Sequence, residues 1–582
     1  MTAYSQKNLA ERILDRQKYM EKERSLRDDQ TDVICELFRP DLVKGQVEEK
    51  DKYEFGGREI IEGTGPWSAM IWQRGFTGSM ISRKSEWFRD KIKASDTQLG
   101  LQFKGNDEIN QYLQDLDDHL SAVYRKSNYY DIMGNYVLDG GTVGSPVMIR
   151  ERDVLNDRII CKVPDYSQVW LDKDIFGYDN VLHIKWMWNA IQAAAFFGKE
   201  NLPRAVQLQL ENGTHYEETP YLQVIYGAGD GIYDDLPVKG EYVKNKPWLE
   251  HFVCMKSESG EAKKLLEPKN KGNGYFHRPF SSWHYWRNWH EKYGRSMAWW
   301  AVYDVRGNNK HWEALFGEAD LSLRPPVWAL GTMRGLLDLA PAGENYANGV
   351  EEYNMPPMHL ERKTRYQQAI DFSDRLKQAI ERHFHVDLFM MANRLEMGRA
   401  QPETAYGIFK MDMERTAQLA PQVETYENQV LGDNHTAIIE MERMAEPAYP
   451  WGRLPKPPDI LLEYGQNELD VEFIGQLSMS QTRDRKINTF FKNIGIAEMI
   501  FGFKPETVEK IKWSQTLERL MEAGNFPQAD LVPEEEYQKM IEAVRQRAEQ
   551  AQLAENAPKL TQAMNNLQQP TQAGSPLAGI TQ

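Results

Sequence analysis

Three carboxylates around a glycine, Asp172, Asp174 and Asp179 with Gly177, have the composition of a calcium loop, because a hard cation wants several oxygens from one tight turn. The bidentate glutamate that closes such loops is missing, so a turn between two strands is the better reading. GAGDG at 227–231 follows a predicted strand and hints at phosphate binding, but it lacks the G-x-G-x-x-G spacing and no helix follows, which favours a hairpin loop. His383 and His385 stand two apart and would point to different faces of a helix, so a shared metal is not expected. His284 and His290 lack a convincing cysteine or carboxylate set. Cys35, Cys161 and Cys254 are too scattered for a disulfide framework or a zinc knuckle, and they suit a reducing cytoplasm. No Walker A, G-x-S-x-G or H-E-x-x-H pattern occurs. No catalytic residue, cofactor or metal is therefore assigned. Trp283, Trp286, Trp289, Trp299, Trp300 and Trp312 could stack on sugars, but large aromatics more commonly fill cores and subunit interfaces.

The elements that would position such residues belong to a chain of 582 residues, longer than one compact core holds, so several subdomains are expected. Hydrophobic residues make up 41% and charged residues 27%, the balance of a folded globular protein. The charged opening MTAYSQKNLAERILDRQKYM has no apolar core of a secretory signal. No run approaches the roughly 18 apolar residues a membrane helix needs, and no membrane association is expected. The net charge of −16 argues against a conventional grip on duplex DNA, which takes a lysine or arginine for each phosphate. It leaves open a protein past which DNA slides.

Hydrophobic periodicity predicts helix over 8–38, 70–90 and 107–139, with the glycines of LDGGTVGSPVMIRER ending the third. From about 145 to 287 the pattern turns to strands: 146–151, 158–164, 168–172, 181–188, 221–227, 248–255 and 275–286, mostly antiparallel, with a helix at 189–199. Helix returns at 294–323 along Ala301, Val305, Asn308, Trp312, Leu315, Ala319 and Ser322, and Arg324-Pro325-Pro326 stops it. Residues 325–363 read as a small Gly- and Pro-rich insert. A further helix over 364–388 has an apolar stripe of Ala369, Phe372, Leu376, Ala379 and Ile380 and would span roughly 35 Å. A loop follows at 391–401, then a helix opened by Pro402. The prolines of 447–458 mark a linker, and DILLEYG and LDVEFIG read as short strands. The chain is predicted helical to about 553, and its last two dozen residues, rich in Gln, Asn, Pro, Gly and Ala, read as disordered.

This series of segments resembles the portal (head-to-tail connector) proteins of podoviruses, over roughly residues 10–475. ELFRPDLV (36–43) is similar to the family's opening helix with its terminal proline, and GFTGSMISRKSEWFRD (75–90) to its small-residue helix ending in Trp-Phe. Gly140-Gly141-Thr142-Val143-Gly144 matches a glycine turn before a strand. VWLDKDIFGYDNVLHIKWMWNAIQAAAFFG (169–198) matches a strand, turn, strand and helix ending in Phe-Gly. KYGRSMAWWAVYDVRGNN (292–309) resembles the Tyr-Gly-Arg segment that opens a long helix, and HFHVDLFMMANRLEMGRAQPETAYGIF (383–409) the helix end, loop and helix near the channel. Two segments depart from the pattern: Met297-Ala298-Trp299-Trp300, where the family is small and Gly/Pro-rich, and Gln401-Pro402-Glu403, where it has Thr.

The resemblance implies an α+β portal fold assembled as a ring, usually of twelve copies. It assigns wing to 1–290 and 403–475, stem helices to 291–324 and 364–390, a clip to 325–363, a channel loop to 391–402, a helical crown to 476–555 and a disordered tail to 556–582. It implies a conduit at one capsid vertex for genome packaging and ejection, assembled in the host cytoplasm. The implied partners are copies of itself, the large terminase, major capsid and scaffolding proteins, tail adaptor and nozzle proteins, internal core ejection proteins, and double-stranded DNA in the channel. Portals are not themselves the packaging ATPase, consistent with the missing Walker motif. Asn393, Arg394 and Arg399 fall on the channel loop, where sparse positive charge would touch phosphates weakly and permit sliding. Arg362, Lys363 and Arg365 at the clip–stem junction could touch DNA or terminase, or form a solvated basic turn. Two other readings compete: a carbohydrate-active phage depolymerase, suggested by the many Trp and acidic residues, and another virion component such as a capsid protein or tail adaptor. The first would need paired carboxylates across a cleft.

Overall fold

A capping box opens the first helix. The Asn8 side chain accepts a hydrogen bond from the Ala10 amide at 3.2 Å, and Glu11 accepts one from the Asn8 amide at 3.3 Å. Helix α1 (Leu9–Phe38) then runs 30 residues and buries Leu9, Ile13, Met20, Ile34 and Leu37, as its sequence pattern predicts. The computed structural model describes residues 8–42, 60–93, 107–153, 156–227, 247–256, 265–269, 274–323, 327–328, 358–359, 366–390, 418–445, 451–463 and 469–475. All of these lie in a unit formed by residues 1–481, and 482–582 form a second unit.

Helix α2 (Thr64–Met80) replaces the helix predicted over 70–90. It stops because Ser82 caps the next turn, its Oγ accepting from the Lys84 and Ser85 amides at 3.3 and 3.2 Å. The Trp-Phe pair lies beyond the helix, and Phe88 begins strand β1 (Phe88–Ile92). Helices α3 (Asp107–Lys126) and α4 (Tyr129–Thr142) follow. Gly140 and Gly141 do not end α4. They lie inside its last turn, where a β-carbon would overlap the rings of Trp283 and Trp72, so their bare backbone lets two indoles lie flat on the helix. The chain turns at Gly144, with φ of 97°.

The strand region is mostly as predicted. It comprises β2 (Val147–Asp153), β3 (Arg158–Lys162), β4 (Val169–Lys173), β5 (Asp179–Asn189), helix α5 (Ala190–Phe197), helix α6 (Arg204–Glu211), β6 (Glu218–Gly227), β7 (Trp248–Cys254), β8 (Leu265–Leu266) and β9 (Phe280–Ser282). The long strand predicted over 275–286 contracts to β9. Helix α6 was not predicted, since only Val206 and Gln209 of its eight residues are buried. β4 to β8 form an antiparallel meander in sequence order, while β3, β2 and β9 form a second sheet. Residues alternate across the meander as the pleat requires. Val181, Leu222, Val224 and Val253 pack under α1, whereas Leu171, Leu182, Ile184 and Ile225 face Val147, Ile149 and Phe280 of the second sheet.

Helix α7 (Met297–Leu323) is followed by the paired strands β10 (Val327–Trp328) and β11 (Met358–His359), then α8 (Tyr366–His383) and the short α9 (Val386–Phe389). α8 is shorter than predicted, about 27 Å at 1.5 Å per residue. It ends where His385 takes a left-handed conformation, φ 51°. Of its predicted stripe, Ile380 is buried and Phe372 is exposed, with Ser373 buried instead. Residues 418–426 are helical and continue through a π-helical turn (Glu427–Gly432) into α10 (Asp433–Arg443). DILLE is helix α11 (Asp459–Glu463), not a strand, because Pro458 starts it and its carbonyl accepts from the Leu461 amide at 3.0 Å. β12 (Leu469–Phe473) pairs antiparallel with β1, Phe88 opposite Phe473. No described helix is long and apolar enough to cross a membrane.

Candidate functional site

The stripe of α7 packs against α8 through polar side chains. Trp312 Nε1–H donates to Ser373 Oγ at 2.8 Å, Ser373 donates to Asn308 Oδ1 at 3.0 Å, and Asn308 Nδ2 donates to Glu62 at 2.7 Å. His311 Nε2 meets the Ala369 carbonyl at 2.8 Å, and His383 lies 3.2 Å from Asp304. Contacts made later in α7 fall earlier in α8, so the two helices form an antiparallel hairpin. Asn308 and Ser373 are buried and mutually satisfied, and satisfied polar pairs fix register where an apolar seam would slide. The β10–β11 pair closes the base of the 325–363 insert.

The hairpin stands on an aromatic core. Trp72, Phe76, Trp283 and Tyr426 are fully buried; Trp283 lies stacked 6.3 Å from Trp72 and 5.9 Å from Phe76, and Tyr426 meets it edge-on at 4.9 Å. Phe384, at the end of α8, is tilted 5.5 Å from Phe38 of α1. α9 docks on α2, where the Phe389 ring occupies the space a β-carbon would take at Gly75. The chain therefore leaves Met390 toward the 391–402 segment from an anchored base.

Where residue types suggested chemistry, the structure shows bracing. Asp174 Oδ1 accepts from the Phe176 and Tyr178 amides, both at 2.9 Å, the turn expected between β4 and β5. Asp172 pairs with Arg16 and Lys292, each at 2.8 Å. Asp179 turns elsewhere: His284 Nε2 and Arg287 Nη1 reach it at 2.6 Å each, and the Ser282 hydroxyl donates to it. Burial would raise the Asp179 carboxyl, but His284, Arg287 and Ser282 hold it well below the usual carboxylate range. His284 Nδ1 lies 3.1 Å from Ser145 Oγ, which also accepts the Gly294 amide at 2.7 Å. The expectation that His284 lacks a carboxylate partner is thus corrected. Serine, histidine and aspartate stand in the order of a hydrolytic triad, yet all three are buried and the serine oxygen is engaged by Gly294. The group ties β5, the 283–294 segment and the Ser145 turn before β2 together.

His383 and His385 do not share a site; His385 lies past the helix end with burial and then His383 lowering its pKa. Of the tryptophans, Trp283 is core, Trp299 and Trp312 are half-buried, and Trp286, Trp289 and Trp300 are exposed. Asn393, Arg394, Arg399, Arg362, Lys363 and Arg365 lie outside the described residues, as do most of 325–363 and all of 476–582. Gly227 ends β6, and the rest of GAGDG is likewise outside.

The described residues thus form a helical hairpin set on sheet and helix, with the polar side chains named above engaged in bracing. The family model of the bacteriophage head to tail connecting protein matches residues 10–532, and the chain belongs to that family. Members are structural components of the virion, at the capsid vertex where head meets tail. The chain is 23% identical to the portal protein of Salmonella phage epsilon15 over 507 residues, covering 85% of this chain and 84% of that one. It is also 23% identical to a probable portal protein of Bordetella phage BPP-1 over 551 residues, 91% of this chain and 89% of the other. Membership in a structural family displaces the depolymerase reading.

Proposed function

We propose that this chain is one subunit of a ring, of twelve copies, that conducts the phage genome into the capsid during packaging and out on ejection. In this reading α7 and α8 are the stem, 325–363 the clip on which terminase and then tail adaptors dock, 391–402 the channel loop, and 476–555 the crown. The observation that carries it is the antiparallel α7–α8 hairpin. One end is anchored in the aromatic core; the other holds an insert closed at its base by β10 and β11. The outward face of α8, with Gln367, Asp371, Asp374, Arg375, Gln378 and Arg382, is polar and of mixed sign, suited to a wetted wall that neither traps nor excludes a duplex. The overall acidity multiplies with copy number and would help keep DNA centred.

A phage deprived of this chain tests the reading. Empty heads are expected without it and filled heads on supplying the wild type. Arg394→Ala with Arg399→Ala is expected to assemble normally but lower the packaged DNA and the titre. Filled heads without the chain would overturn the conduit, and full packaging by the double variant would overturn the channel-loop assignment.

A further inference from the structure

The β4–β5 turn places Phe176 and Tyr178 on either side of Gly177. The ring of Trp289 lies against Gly177, where a β-carbon would come within 3.0 Å of it. Trp286 and Trp300 are 5.9 Å apart between ring centroids, and Tyr303 follows one turn along α7. Trp286, Trp289 and Gly177 also line a groove of about 560 Å³ whose far wall is the 421–429 helix, with Pro421, Gln422 and Thr425. These aromatic side chains are from 45% exposed at Trp300 to 75% at Tyr303.

Two features set this surface apart from scattered exposed rings. The first is rigidity. Lys173 Nζ donates to the carbonyls of Trp289 and Glu291, Arg295 and Asn288 both bind Glu291, and the Trp286 and Arg295 backbones pair with each other. A segment held this way loses little entropy when its Trp286 and Trp289 are covered. The second is area. Six aromatics exposed to this extent offer roughly 700–900 Å² in all, about the 800 Å² that each side of a standard interface buries. Monomers rarely leave so large an apolar surface bare.

We propose that a second copy of this chain packs on the patch formed by Phe176, Tyr178, Trp286, Trp289, Trp300 and Tyr303, making it one flank of the subunit contact. The inference rests on the ring reading above. A partner that docks transiently leaves its site wet for much of the time, and such sites are more polar than this one. A neighbouring copy in a ring is always present. Because a ring contact joins unlike surfaces, the patch meets a different face of the next copy.

The full-length chain carrying Trp289→Glu and Tyr303→Glu tests this by native mass spectrometry. The wild type is expected as rings and the variant as single subunits, with the circular dichroism of the wild type. Variant rings alongside wild-type rings would overturn the patch and leave the ring reading intact, whereas wild-type protein without rings would remove both. Hydroxyl-radical labelling of wild-type rings gives a readout that needs no substitution. Trp289, Phe176 and Tyr303 are expected to be labelled several-fold less in rings than in subunits dissociated by dilution. Equal labelling, or protection that arises only when a tail or packaging protein is added, would overturn the proposal.

Discussion

Asp117 shows how a single residue can tie the stability of the fold to pH. The Asp90 amide donates to its Oδ1 at 2.9 Å, and Asp90 is itself bound by His435 at 2.8 Å. Burial first, and then the neighbouring Asp90 carboxylate, push the Asp117 carboxyl up to about 8, although the amide hydrogen bond opposes them. An unfolded aspartate titrates near 3.9. Between about pH 4 and 8 the folded chain therefore holds a proton that the unfolded chain has lost. This contribution is fully present below about pH 4 and is lost as pH rises through 8. Asp117→Asn copies the protonated form. Urea denaturation from pH 5 to 9 is expected to fall less steeply with pH in the variant than in the wild type, and identical slopes would contradict the assignment. None of this was legible in the sequence, nor was the Asp179–His284–Ser145 brace, because the partners stand 105 and 139 residues from His284. Residue type marks a group as able to titrate, but only folding decides what lies beside it.

At the scale of elements the sequence is more informative. β2, β3, β4 and β7 fall within two residues of their predicted ends, because short apolar runs bounded by turn residues mark strands even where burial does not alternate. The failures share a cause in long-range packing. Gly140 and Gly141 read as a helix stop, but their role is to let Trp72 and Trp283 approach. Trp87 and Phe88 read as a helix end, yet Phe88 finds its strand partner only at Phe473. The stripe predicted for α8 did not include Ser373, though it is buried in the seam and bonded to Asn308 and Trp312. Gly75 gives the corresponding test. Gly75→Leu would drive the Phe389 ring out of its seat on α2, and overpacking of this kind costs about 1–3 kcal/mol. The urea midpoint is expected to drop accordingly, with faster proteolysis beyond Met390; an unchanged midpoint and cleavage pattern would show that α9 does not need this seat.

For the whole molecule, composition excluded more than it specified. A charge of −16 spoke against tight DNA binding but could not distinguish a conduit from a tail protein. The order of weak motifs carried the family, which the match over 10–532 establishes. Residues proposed for the channel and the clip stay as the resemblance left them, since they fall outside the described chain. What the described part adds is a braced helical hairpin, a polar face on α8 and an aromatic flank beside α7. Those surfaces make sense together if α8 faces a lumen and the aromatic flank faces a neighbour. Electron-microscope projections of the purified full-length chain test that arrangement most directly. Annular particles with an open centre wide enough to pass a duplex are expected; single globules, or discs closed at the middle, would contradict it.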